Sequence, residues 1–98
     1  MTTKDSILNQ LKLKKTELNR LGVNSVGLFG SYAREEQSPN SDIDLIVEFE
    51  PGKENFDNFM SICDLLEKLF IGQKIEVVTK NGLSPYIGPK ILEETVYD

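Results

Sequence analysis

The sequence predicts an α/β domain in which helices and strands alternate as αβαβαβα. Three observations carry this: apolar residues at helical spacing in three separate stretches, short β-type runs between them, and glycine or proline at the junctions. With 98 residues, the chain has room for one domain over 1–98 and is too short for two.

The first helix is expected from Ser6 to Leu21, where Ile7, Leu11, Leu18 and Leu21 share a face, Leu8 flanks it and Leu13 points away. Gly22 stands where a left-handed C-cap is needed. Val23 to Phe29 follows as a short strand that stops at Gly30-Ser31. Tyr32 to Glu36 can form a brief helix, and Gln37-Ser38-Pro39-Asn40 reads as a loop. Asp42 to Phe49 then alternates strictly, with Ile43, Leu45, Val47 and Phe49 on one face and Asp42, Asp44, Ile46 and Glu48 on the other.

After Pro51-Gly52 comes a crossover helix with Asn55 as its cap and Gly72 as its terminator. Its apolar face is read as Phe56, Phe59, Met60, Cys63, Leu66 and Phe70, which makes Cys63 a core residue. Lys74 to Thr79 is the third strand, Asn81-Gly82 turns the chain, and Pro89 opens a last helix containing Ile91, Leu92 and Val96.

Composition removes several function classes. The chain has no histidine and one cysteine, which excludes Ser-His-Asp and Cys-His catalysis, the usual zinc ligand sets and an internal disulfide. Chemistry must come from carboxylates, hydroxyls, lysine, arginine or a hard metal. A net charge of −5 argues against a grip on nucleic acid, which needs a basic face. No segment approaches the roughly 20 apolar residues of a membrane span. Met1 to Asp5 carry no apolar leader, so the cytoplasm is the expected compartment. Lys53, Lys74 and Lys90 read as solvated charges unless the fold brings them to a cleft.

Gly30-Ser31 offers a strand-to-helix turn with backbone N–H groups and a hydroxyl donor facing an anion. Alone, such a pair is more often only a turn. Asp42-Ile43-Asp44 sets two carboxylates on one strand face, which repel unless a cation such as Mg²⁺ sits between them. Alone, two acids in an acidic chain more often face solvent. Together, separated by ten intervening residues and flanked by strands, they place phosphate donors beside metal ligands at one sheet edge.

Gly30-Ser31-Tyr32-Ala33-Arg34 followed by Ser41-Asp42-Ile43-Asp44-Leu45-Ile46-Val47 resembles the minimal nucleotidyltransferase (MNT) family of the DNA polymerase β superfamily. The likeness continues through Lys74-Ile75-Glu76-Val77-Val78 to the closing helix near Pro89. It implies a polymerase β-like fold, α/β (α+β), with helices on a short mixed sheet. The first two strands would be antiparallel and the third parallel to the second, through a right-handed crossover.

By the same resemblance, Gly30, Ser31 and Arg34 would bind the nucleotide, and Asp42, Asp44 and Glu76 would form the catalytic and Mg²⁺-binding set. Glu76 would act as base toward the acceptor hydroxyl. The family usually has aspartate at that place, and glutamate is one methylene longer. It also often has glycine where Glu35 stands, so a positive φ is expected to be missing here. Arg34 is open between a phosphate and an internal pair with Glu35, Glu36 or Asp42.

The resemblance implies transfer of a nucleoside monophosphate, AMP from ATP, to a tyrosine of a HEPN-domain toxin, with this chain as the antitoxin. Two other readings accompany it. One is a non-catalytic MNT-like antitoxin that blocks its toxin by contact. The other is a nucleotidyltransferase subunit acting on a small hydroxylated compound presented by a second subunit.

Overall fold

Thr3 caps the first helix, accepting a hydrogen bond from the Ser6 amide while the Ser6 hydroxyl accepts from the Thr3 amide. This reciprocal cap starts helix α1 at Lys4, two residues earlier than the apolar pattern suggested. The computed structural model describes residues 2–97. The expected single helix to Leu21 is in fact two, α1 at Lys4–Leu13 and α2 at Lys15–Arg20. At Lys14 the amide reaches Leu11 O at 3.1 Å, a tighter turn that redirects the axis. The break leaves Leu13 81% exposed while Ile7, Leu11 and Leu18 all enter the core.

Strand β1 runs Val23–Phe29 and β2 runs Ile43–Phe49, antiparallel to it. Between them lies α3, Gly30–Ala33, shorter and earlier than the helix expected at 32–36. Helix α4, Phe56–Leu69, leads to β3, Ile75–Thr79, which pairs with β2 in parallel. A 3₁₀ turn at Lys80–Gly82 and helix α5, Gly88–Glu94, precede a last strand, β4, Val96–Tyr97. The sheet order is β3-β2-β1-β4. Strand β4 corrects the expected pattern: Val96 pairs with Leu28 of β1 instead of continuing the last helix.

The core fills one face of this sheet, where Val26 and Leu28 of β1 and Ile43, Leu45 and Val47 of β2 meet α1, α2 and α4. From α4 the buried residues are Ile62 and Leu66, followed by Phe70, with Phe59, Leu65 and Leu69 partly covered. Leu66, Phe70 and Phe59 of the expected face are thus confirmed in the core, while Ile62 joins from outside that face. Phe56 and Met60 are 76% and 48% exposed, and Cys63 is only half-buried. Asn55 caps the helix as expected, accepting from the Asn58 amide at 2.8 Å. Ile46, assigned to the acid face, is also buried, because Gly27 beside it lets Thr95 and Tyr97 close over that face.

Glu35 overturns one expectation. It adopts φ 58 without being glycine. The cause is the exit from α3: the Glu36 amide bonds to Ser31 O at 2.8 Å and the Glu35 amide to Tyr32 O at 3.2 Å. These are the two bonds of a Schellman closure, which requires a left-handed residue at the Glu35 position. Its side chain gains only a surface pair with Lys4 at 3.4 Å. Glu35→Gly is therefore expected to stabilise the domain by about 0.5–1 kcal/mol, read as a higher denaturation midpoint with an unchanged slope.

Candidate active site

Antiparallel pairing sets Phe29, the last residue of β1, opposite Asp44. Parallel pairing on the other side sets Glu76 opposite Asp44. The α3 turn and the two acids thus meet at one end of the sheet, on the face away from the main core. Asp42 stands one residue ahead of β2, not within it, and is half-buried like Asp44, whereas Glu76 is exposed.

Asp44 is the electrostatic centre of this group. Its carboxyl is raised from an ordinary 3.8 to about 6, first by burial, then by the adjacent, hydrogen-bonded Glu76 and by the charge of Asp42, with Arg34 opposing. A half-buried carboxyl crowded by two further acids is stabilised in its charged form by nearby positive charge, which is what a bound cation supplies. Among the described residues, no three Asp, Glu, Cys or His side chains close around a common point. The Asp42 and Asp44 carboxylates match, in type and number, a cation that takes one or two carboxylates and completes its shell with water and phosphate oxygens, as Mg²⁺ does.

Gly30 opens α3 with φ 75, and a Cβ placed there would run into the Asp44 carboxylate. The phosphate-loop candidate and the metal-ligand candidate are consequently in van der Waals contact. Ser31, the next residue, is half-buried at the same turn. A four-residue helix has only a small dipole, so any anion binding rests on local N–H and hydroxyl donors.

Arg34 lies just beyond α3. It forms an ion pair at 2.8 Å with Glu94 of α5 and a longer one at 3.4 Å with Glu36. Of the three internal partners considered from sequence, only Glu36 is engaged, since Glu35 pairs with Lys4. Glu94 was missed entirely. Its other oxygen accepts the Gly30 amide at 3.3 Å, so one of the loop's N–H groups is already occupied.

Beside Asp42 lies an open recess of about 360 Å³, walled by Tyr32, Asn40, Gln73 and Lys74. Lys74, expected to be solvated, is thereby placed at the cleft. Its carbonyl receives the Ile43 amide at 2.9 Å, which ties this rim to the start of β2. A second recess, bounded by Lys15, Asn24 and Tyr97, lies on the α2 side and contains no carboxylate.

Residues 10–98 match the nucleotidyltransferase domain family. The chain belongs to that family. This nucleotidyltransferase is 37% identical over 98 residues to the protein adenylyltransferase MntA of Thermococcus cleftensis, an alignment covering 99% of this chain and 97% of the relative. A solved structure described as a candidate minimal nucleotidyltransferase superposes with a TM-score of 0.81 at 28% identity, covering 97% of this chain and 95% of the other. A toxin–antitoxin structure containing AMP-PNP shares the fold at a TM-score of 0.65 and 20% identity, over 88% of this chain and 70% of that one. The nucleotidyltransferase fold is thus the polymerase β-like one of the minimal enzymes. Among the described residues, no helix is long and apolar enough to cross a membrane.

The raised Asp44 value has a thermodynamic consequence. The folded nucleotidyltransferase holds this proton to higher pH than the unfolded chain does, so the group's contribution to stability falls as pH rises from 3.8 through about 6. In metal-free protein, the Asp44 contribution to the melting temperature is expected to decline across that window. Asp44→Asn should remove the decline, and excess Mg²⁺ should oppose it by favouring the charged form. A melting temperature whose pH dependence is the same in wild type and Asp44→Asn would contradict this assignment.

Proposed function

We propose that this nucleotidyltransferase transfers AMP from ATP to a hydroxyl, the acceptor being a tyrosine of a HEPN-type toxin for which it serves as antitoxin. The observation that carries the reading is the register of Phe29, Asp44 and Glu76 across three strands, which gathers the Gly30-Ser31 turn and the acids at one sheet end. The protein acceptor is supported by the MntA relative, named a protein adenylyltransferase. A toxin partner and an adenine nucleotide are supported by the toxin–antitoxin structure with AMP-PNP.

Asp42 and Asp44 would hold Mg²⁺, which when bound supplies positive charge to the triphosphate. Ser31 would orient the outer phosphates through its hydroxyl and amide. The acceptor oxygen forms a bond to the α-phosphorus, the bond to the β-phosphate oxygen breaks, and pyrophosphate leaves. Glu76 receives the acceptor proton, and its exposure lets a macromolecular hydroxyl approach it. The recess at Asn40, Gln73 and Lys74 is open to a nucleoside or to the acceptor side chain.

The test is incubation of the nucleotidyltransferase and its co-purified partner with labelled ATP, with Mg²⁺ or with EDTA. Metal-dependent AMP on a partner tyrosine is the expected result. A partner neutralised with no label under any metal or nucleotide would make this chain a contact antitoxin instead. Label on a small hydroxylated compound in place of the partner would move the acceptor class.

A further inference from the structure

Glu94 is the last residue of α5, a position where the helix C-terminus disfavours a negative charge. Its neighbour Glu93 points to solvent, but Glu94 turns inward, its side chain 25% exposed. One oxygen takes the Gly30 amide at 3.3 Å and the other takes Arg34 Nη1 at 2.8 Å. Thr95 fixes the helix end by donating to Ile91 O at 2.6 Å, and β4 then pairs with β1 through Leu28 and Gly27. The carboxylate is therefore delivered to the α3 turn by an anchored segment and not by a free arm.

We infer that Glu94 is a positioning residue of the nucleotide site, holding the Gly30 backbone and the Arg34 guanidinium in the arrangement that receives the triphosphate. This rests on the nucleotidyltransferase reading above. Arginine carries five N–H donors in a rigid fork. Glu94 engages Nη1 and Glu36 lies beside Nε, so among the described residues Nη2 is left for a further anion. Without Glu94, Arg34 is a long exposed side chain that must be ordered at the moment of binding, which costs affinity. Gly30 would lose the anchor that keeps it against Asp44.

The opposite possibility is that Glu94 is an internal anion competing for the donors that phosphate needs. The two differ in sign. Calorimetric titration of Mg²⁺ with ATP into wild type, Glu94→Ala, Arg34→Ala and the double variant decides between them. Positioning predicts roughly tenfold weaker binding for Glu94→Ala, with the double variant losing less than the two single losses summed, because the part of Glu94's effect that runs through Arg34 is already gone. Glu94→Gln, which keeps a carbonyl acceptor for one contact, should fall between wild type and Glu94→Ala, and it carries the comparison if the alanine variant does not fold. Melting temperatures, with titrations run well below all of them, separate a positioning loss from an unfolded fraction.

Tighter binding by Glu94→Ala overturns the inference in favour of competition. Unchanged binding, or losses that simply add, overturn it too. Wild type that binds no nucleotide would instead remove the nucleotidyltransferase reading on which all of this stands.

Discussion

Asp42→Ala/Asp44→Ala is expected to lose transfer by roughly a thousandfold or more while melting at a higher temperature than wild type in metal-free buffer at neutral pH. The two effects have one origin. Asp44 is held half-buried beside Glu76 and Asp42, and its value near 6 means that the ionised form is resisted by the fold. A cluster with that property is unfavourable for the protein without a bound cation. Removing both carboxylates relieves the repulsion and removes the ligands together. Initial rates of AMP transfer and thermal melts on the same samples give the answer. Transfer that survives the double substitution would disprove the catalytic assignment, and a lower melting temperature would place the acids in structural service.

Gly30→Ala carries the second large effect. Two costs combine at this position: φ 75, which an L-residue resists by about 1–2 kcal/mol, and a Cβ directed at the Asp44 carboxylate. Gly52 separates them, since it has φ 78 but nothing near its missing Cβ. Gly52→Ala should lose only the backbone part, about 1–2 kcal/mol, with transfer unchanged. Gly30→Ala should lose more stability than that and also slow transfer by roughly a hundredfold, because Asp44 must move aside. Equal losses in the two variants would show that the close approach of Gly30 to Asp44 has no consequence for the site.

Where the candidate site residues would lie in the fold was largely legible, because they sit at places where local sequence is decisive. Strict alternation from Ile43 to Phe49 fixed which residues of β2 face the core, and the Gly30-Ser31 stop fixed where β1 ends. Ile75 and Val77 likewise announced β3 and put Glu76 on the face away from their own. What escaped depends on distant parts of the chain. Strand β4 is only Val96–Tyr97, too short to show alternation, and exists because β1 offers it an edge. On α4, Leu66 and Phe70 were read correctly, but Phe56 and Met60 look like core residues by type and are exposed, while Ile62 is buried in their place. The positive φ at Glu35 is imposed by the hydrogen bonds leaving α3, against the residue's own preference. Glu94 was unreadable for a different reason: in a chain with 16 acidic residues, nothing local marks the one that turns inward.

The tie from Gly30 to Glu94 spans 64 positions of the chain, whereas the contact of Gly30 with Asp44 closes within a single β1–β2 hairpin. Closing a long loop costs more entropy than closing a short one, and the difference grows only logarithmically with length. Loop closure alone therefore favours bringing the turn and the first two acids together ahead of the contacts made by β3 and α5. A half-assembled molecule of that kind would hold Gly30, Asp42 and Asp44 together but lack Glu76 and the Glu94 contact with Arg34. With Glu76 as base and Glu94 as clamp, competence for chemistry would follow the seating of the C-terminal segment.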